Sequence, residues 1–232
     1  MSTYNIGSWA TVNDGGDTSG NSELSVSCGN EYYGRSQRSG YATLTTGTSA
    51  NTATLNVVQE GLAEFVNINS VASNPTASTT TLTITGTTNS SKLTFSKGGD
   101  AASAVTLPAN YTVSYGTGGS AQTATIANGS AITGDPGATQ LVSFSITLTL
   151  AVNSTPSARS FTLTATPNSG TAATLTVTQG AGTDYVCFDS ASGPTTKTIT
   201  FNAKGAVSGG TATSVDVNVY SNDDWSITTG TN

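Results

Sequence analysis

Eight consecutive residues, Glu31-Tyr-Tyr-Gly-Arg-Ser-Gln-Arg38, hold two tyrosines and two of the seven basic side chains of the chain. Tyr and Arg together offer π faces, fork-shaped donors and large contact area at modest entropic cost, which is the chemistry of a binding hot spot. On that ground Tyr32, Tyr33, Arg35 and Arg38 are candidate contact residues for a protein partner or, through the tyrosine faces, for a sugar. A plainer reading stands beside it: a strand-to-loop transition with one tyrosine buried and Arg38 in a structural position.

Other polar groups offer less. Asp223-Asp224 beside Trp225, and the loop Asn13-Asp-Gly-Gly-Asp17, carry hard carboxylate oxygens of the kind Ca2+ takes. Neither has the Asp-x-Asp-x-Asp spacing with a following Glu, so both read as turns and no metal is expected. Glycosidase chemistry needs two carboxyl groups roughly 5–9 Å apart across a sugar. Glu23, Glu31, Glu60 and Glu64 are the only glutamates, and their spacing picks out no pair. The absence of histidine removes histidine triads and histidine metal sites, and it leaves Cys28 and Cys187 without a base to activate them. Both cysteines read as small hydrophobes, too few for a disulfide scaffold. Gly116-Thr-Gly-Gly119 lies between strands and opens no helix, so it is a turn and not a phosphate cradle. No catalytic residue and no cofactor is expected, and the chain does not read as an enzyme. Trp9 and Trp225 read as core residues.

The elements that would position these groups are strands. Thr81-Leu-Thr-Ile-Thr85 and Ser143-Phe-Ser-Ile-Thr-Leu-Thr-Leu150 alternate apolar and hydroxyl side chains, as a half-buried antiparallel strand requires. Phe161-Thr-Leu-Thr-Ala165, Leu175-Thr-Val-Thr178, Ile199-Thr-Phe201, Val215-Asp-Val-Asn-Val219 and Trp225-Ser-Ile227 repeat the pattern. Turn clusters such as Ser73-Asn-Pro75, Gly134-Asp-Pro-Gly137 and Ser208-Gly-Gly210 separate them. The expected fold is all-β.

Composition agrees. Charged residues are 9% of the 232, against roughly 25% in ordinary soluble domains, and Ser plus Thr make up about a third. The formal net charge of −6 with seven Lys/Arg leaves no electrostatic footprint for nucleic acid. No apolar run reaches the length of a membrane span. Met1-Ser-Thr-Tyr-Asn has neither a basic nor an apolar segment, so the expectation is synthesis and use without secretory export.

An internal repeat organises the chain. Asn51-Thr-Ala-Thr-Leu-Asn-Val-Val-Gln59 lines up with Thr171-Ala-Ala-Thr-Leu-Thr-Val-Thr-Gln179. Arg38-Ser-Gly-Tyr-Ala-Thr-Leu-Thr lines up with Arg159-Ser-Phe-Thr-Leu-Thr if one insertion falls within the strand. Boundaries are therefore expected near Gly61 and Gly180, giving units 1–61, 62–181 and 182–232. Residues 1–61 carry a closing hairpin with little room for early strands. Residues 182–232 carry an early hairpin, so the two outer units read either as small separate sandwiches or as complementary halves that pair by strand addition.

The Arg-Ser…Val-x-Gln-x-Gly hairpin, together with Val215-Asp-Val-Asn-Val-Tyr-Ser-Asn-Asp-Asp-Trp225-Ser-Ile and its Asn-x-x-Trp signature, resembles the immunoglobulin-like domains of the BACON family. The likeness covers 30–61, 141–181 and 182–228 best, and residues 101–135 depart from it. It implies tandem immunoglobulin-like β-sandwiches. BACON modules occur in secreted glycan-degrading proteins of Bacteroidetes and in proteins of their phages, so two roles follow as expectations. One is a structural virion protein, a capsid decoration protein assembled in the host cytoplasm, which docks on the major capsid protein or other virion proteins and engages neighbours or host glycans. The alternative is a carbohydrate- or mucin-binding module of a secreted or cell-surface protein. An adhesive spacer is the third reading.

Overall fold

The computed structural model describes residues 3–15, 23–47 and 50–230. Met1, on which the export expectation rests, and Asp17 of the Asn13–Asp17 loop lie outside them. The chain is all-β among the described residues, with three single-turn helical segments as the only exceptions.

Strands β1 (Thr3–Ile6), β2 (Ala10–Asn13) and β3 (Ser25–Cys28) form an antiparallel sheet in the order β1-β2-β3. It packs on a hairpin of β4 (Arg38–Thr45) and β5 (Thr52–Gln59). Ile6, Ala10 and Val12 are buried between the two layers against Trp9, Ala42, Leu55 and Val57. Sequence reasoning saw little room here for strands before the hairpin, and three four-residue strands occupy it.

The middle of the chain builds two larger layers. β6 (Val66–Ile68), β7 (Thr81–Thr88), β8 (Leu93–Gly98), β9 (Val105–Thr106), β10 (Asn110–Tyr115), β11 (Gln122–Ala127), β12 (Val142–Leu150), β13 (Arg159–Pro167) and β14 (Ala173–Gln179) follow in chain order. One sheet runs β11-β10-β12-β7-β6 with β9 added to β12, and the other runs β14-β13-β8. The period-2 pattern sets which side chains meet. Ile84, Phe144, Ile146, Leu148, Leu163 and Val177 face inward, while their threonine neighbours pair across strands on the wet side, as Thr83 does with Thr147. Phe95 meets Tyr111 edge-on at 5.0 Å and Phe144 at 5.4 Å. Each such side chain contributes about 1.5–3 kcal/mol by leaving water, so this sandwich is the stability centre of the molecule.

The last unit is thin. β15 (Val186–Phe188) pairs with β16 (Val219–Ser221), and a single bridge joins Phe201 to Val207. Of the three alternating runs expected as strands here, only Val219 of Val215–Val219 enters one, and Ile199–Phe201 and Trp225–Ile227 do not. Alternation makes a strand only when a partner takes its backbone groups. Among the described residues no ladder forms on these segments: Ile199–Phe201 has only the Phe201–Val207 bridge with Ser208 N donating to Thr200 O, and Trp225, 51% exposed, and Ile227, 77% exposed, lie in no strand. Trp225, expected in a core, is therefore on the surface, whereas Trp9 packs against the N-terminal core. Of the two cysteines expected to be buried, Cys187 is and Cys28 is exposed.

The repeat is visible in the ladders. Arg38 stands opposite Gln59 and Arg159 opposite Gln179, and the pairing runs on to Leu44 with Ala53 and Ala165 with Ala173. Both Arg strands keep register without a break, so the insertion lies in the turn between β4 and β5 and not within β4, where sequence alignment put it. Gly40 then occupies the place of Phe161. A Cβ there would come within 2.2 Å of Ile6, so the smaller N-terminal core fits only a glycine.

Candidate functional site

Strand β5 ends at Gln59 and β6 begins at Val66, and the chain between them passes beside the Glu31–Arg38 stretch. This is where the structure places the candidate contact residues. The backbone of Arg35 donates to Gly137 O and that of Ser36 to Ala138 O, so the loop is laced onto the turn before β12. Arg35 donates from Nε to Asn89 O at 2.8 Å, pairs through Nη2 with Asp135, and stands 3.6 Å from Glu64. The Tyr32 hydroxyl points at Ala138 O, at 3.5 Å. Tyr33 accepts a hydrogen bond on its carbonyl from Asn89, tilts its ring over Phe65 and donates its hydroxyl to Glu31. That carboxylate raises the phenol's pKa above its ordinary 10.0, first by the hydrogen bond and then by its charge.

Arg38 does a different job. Its Nε donates to Gln59 Oε1 at 2.8 Å, and its guanidinium lies 4.3 Å from the centre of the Tyr32 ring and 4.9 Å from that of Trp9. Arg159 repeats the first contact with Gln179 at 2.9 Å. The plainer reading of Arg38, a structural position shared with Arg159, describes its geometry. The four candidates thus split: Arg38 belongs to the N-terminal layers, Tyr32 lies against Arg38 and points its hydroxyl across to the turn before β12, Arg35 ties those layers to the middle sandwich, and Tyr33 keeps an exposed face.

Two residues of this joint were not singled out by their sequence. Asn89 is fully buried at the end of β7; its Oδ1 accepts from Phe65 N, and its Nδ2 donates to Tyr33 O, Leu62 O and Ala63 O. Glu64 binds Ser91 through Oε1 and Ser169 through Oε2, using backbone and hydroxyl donors of both. Burial pushes the Glu64 carboxyl up, but those donors together outweigh it and hold its pKa below the ordinary 4.5. Its negative charge is thereby committed to structure. No cluster of three or more Cys, Asp or Glu that could hold a metal occurs among the described residues.

Asn89 has a twin. Asn222 accepts from Tyr185 N and donates to Thr183 O and Ser154 O. Ser221 Oγ donates to Tyr185 O as Thr88 Oγ1 does to Phe65 O, and Asp223 N donates back to Ser221 as Ser90 N does to Thr88. β15 and β16 are therefore a second copy of β6 and the end of β7. The asparagine of the Asn-x-x-Trp signature clasps the backbone of the preceding linker.

Fold and joints together define an all-β protein of packed sheets whose linkers are clasped by asparagine side chains, the buried Asn89 and the half-exposed Asn222. No protein-family model matches the chain, and no curated protein matches it.

Proposed function

We propose that the chain is a non-enzymatic structural protein of tandem immunoglobulin-like sandwiches, a decoration protein that docks on a phage capsid and presents those sandwiches at its surface. The observation that carries this reading is the way polar chemistry is used. The carboxylates and guanidinium of Glu64, Asp135 and Arg35 are spent on fastening one unit to the next, and the outer faces are left to threonine hydroxyls. A stiffened, low-charge β surface suits a protein whose work is contact, and the BACON resemblance supplies the phage context. The partners in this reading are the major capsid protein or other virion proteins.

Docking through Tyr32, Tyr33, Arg35 and Arg38 as one patch is narrowed to the exposed face of Tyr33 with Glu31, since Arg35 serves the joint. Quantitative mass spectrometry of purified virions from the phage that encodes the chain tests the reading. Peptides at a fixed ratio to the major capsid protein are expected, and their absence from particles overturns it. Tyr33→Ala is expected to weaken co-sedimentation with capsids while leaving the melting temperature unchanged. Specific retention on a glycan array by chains absent from virions would establish the carbohydrate-binding alternative instead.

A further inference from the structure

The intact middle sandwich is a template for what its neighbours lack. In it, β12 pairs with β7, and β13 pairs with both β14 and β8. The N-terminal layers contain the counterparts of β13 and β14 in β4 and β5. They also contain the counterpart of β12, since Gln179 donates to Ala151 O just past β12 and Gln59 donates to Asn30 O just past β3. Among the described residues, nothing stands where β7 and β8 would: β3 pairs only with β2, and β4 only with β5. Both open edges lie on the side where the middle sandwich places its β6–β8 segment.

The C-terminal unit supplies that segment. β15 and β16 repeat β6 and the end of β7, hydrogen bond for hydrogen bond. Trp225-Ser-Ile227 then stands where Leu93-Thr-Phe95 begins β8, with the same apolar–hydroxyl–apolar order and a connection one residue shorter. Its apolar side chains, Val215, Trp225 and Ile227, are exposed. On the other side Leu44 of the β4–β5 hairpin, on the same face as Ala42, is exposed, and Arg38 Nη2 is buried with no hydrogen-bond partner. One unit lacks what the other displays.

The two units cannot meet within one chain. The N-terminal layers are fastened at Asn89, just past the C-terminal end of β7, and the C-terminal unit at Ser154, just past the end of β12. β7 and β12 run antiparallel with Thr81 opposite Thr149 and Val142 opposite Thr88, so these are opposite ends of the sandwich, about 25 Å apart along an eight-residue strand.

We infer that the C-terminal unit of one copy adds its β15, β16 and Trp225–Ile227 strands to the open β3 and β4 edges of a second copy. The product is a complete two-layered sandwich shared between molecules. The contact joins unlike surfaces, so it propagates head to tail and does not stop at a two-fold dimer. The register follows from the template. Ala165 stands opposite Phe95 in the middle sandwich, so Leu44 of one copy stands opposite Ile227 of the next.

The experiment uses the full 232-residue chain with Cys28→Ser, in two singly labelled forms, Leu44→Cys and Ile227→Cys. Mixing them under mild oxidation is expected to give a covalent dimer with one chain of each form, while either form alone stays largely uncross-linked. The mass of the unlabelled chain, measured by light scattering over a concentration series, is expected to climb in multiples of 23.2 kDa. Trp225→Asp with Ile227→Asp, both exposed, should hold it at a single copy without shifting the main melting transition. A monomer at every concentration overturns the inference, as does assembly that stops at a dimer or survives the double substitution. Cross-linking of Ile227→Cys only to itself overturns it too.

Discussion

Asn89 has one acceptor oxygen and two amide hydrogens, and the buried joint uses all of them on backbone groups of Phe65, Tyr33, Leu62 and Ala63. Asn89→Ala strands at least two of those groups away from water, each at about 1–3 kcal/mol. A loss of about 3–5 kcal/mol in chemical denaturation is the expected outcome, with the same change at half-exposed Asn222 costing under about 1.5 kcal/mol because water replaces the lost bonds. Glu64 makes the joint sensitive to acid. Its carboxyl is held below its ordinary value, so the stability it contributes is complete above pH 4.5 and is lost as pH falls through the lowered folded-state value. Glu64→Gln is expected to be about 2 kcal/mol less stable than the parent at pH 7 and to lose less on acidification, as thermal melts across pH 3–7 would record. Neither residue stands out by type or spacing. A buried clasp is recognised only by the backbone groups around it, and those come together only on folding.

At the scale of elements, alternation locates a strand where the run is long and a partner strand exists. Thr81–Thr85, Ser143–Leu150 and Phe161–Ala165 alternate in the sequence and lie in the ladders of β7, β12 and β13. Val215–Val219 alternates equally well, yet only its end is paired, because periodicity reports a face and not a neighbour. The short β1, β2 and β3 were illegible for the opposite reason: four residues are too few for a period to register. The hairpin repeat was legible down to the Arg–Gln pair, but the place of its insertion was not, since a turn absorbs an extra residue at less cost than a ladder does. Gly40 marks where the two copies diverge. Gly40→Val would drive side-chain carbon into Ile6, and the expected result is loss of the N-terminal layers alone. Hydrogen exchange should then be fast throughout β1–β5 and unchanged in β12 and β13.

Across the whole molecule, stability is unevenly held. The cluster of buried side chains spanning both middle sheets is the large one, three side chains form the N-terminal core, and Cys187 is the only buried apolar residue described beyond residue 182. Limited proteolysis should therefore first remove the segment after Gly182, with cuts concentrated in 190–217. It should next open the N-terminal layers and leave a resistant fragment near 62–181. That order inverts if copies associate through their outer units, since the segment cut first would be covered. The all-β class follows from alternation, and the matching β4–β5 and β13–β14 hairpins follow from the repeat. The clasps that connect the units depend on distant backbone approaching Asn89 and Asn222, and the residues around each asparagine do not say which backbone that is.

The two fastenings at opposite ends of the middle sandwich also decide how the molecule carries load. Tension between its outer units enters at the start of β6 and leaves at the end of β14, so it runs parallel to the strands. Ladder hydrogen bonds pulled that way share the force and must break together, whereas bonds unzipped from one end break singly. β14 is anchored through seven register pairs to β13 and β6 through only three to β7. The Asn89 clasp sits beside those three pairs, so a residue placed to close a joint also reinforces the strand that would yield first.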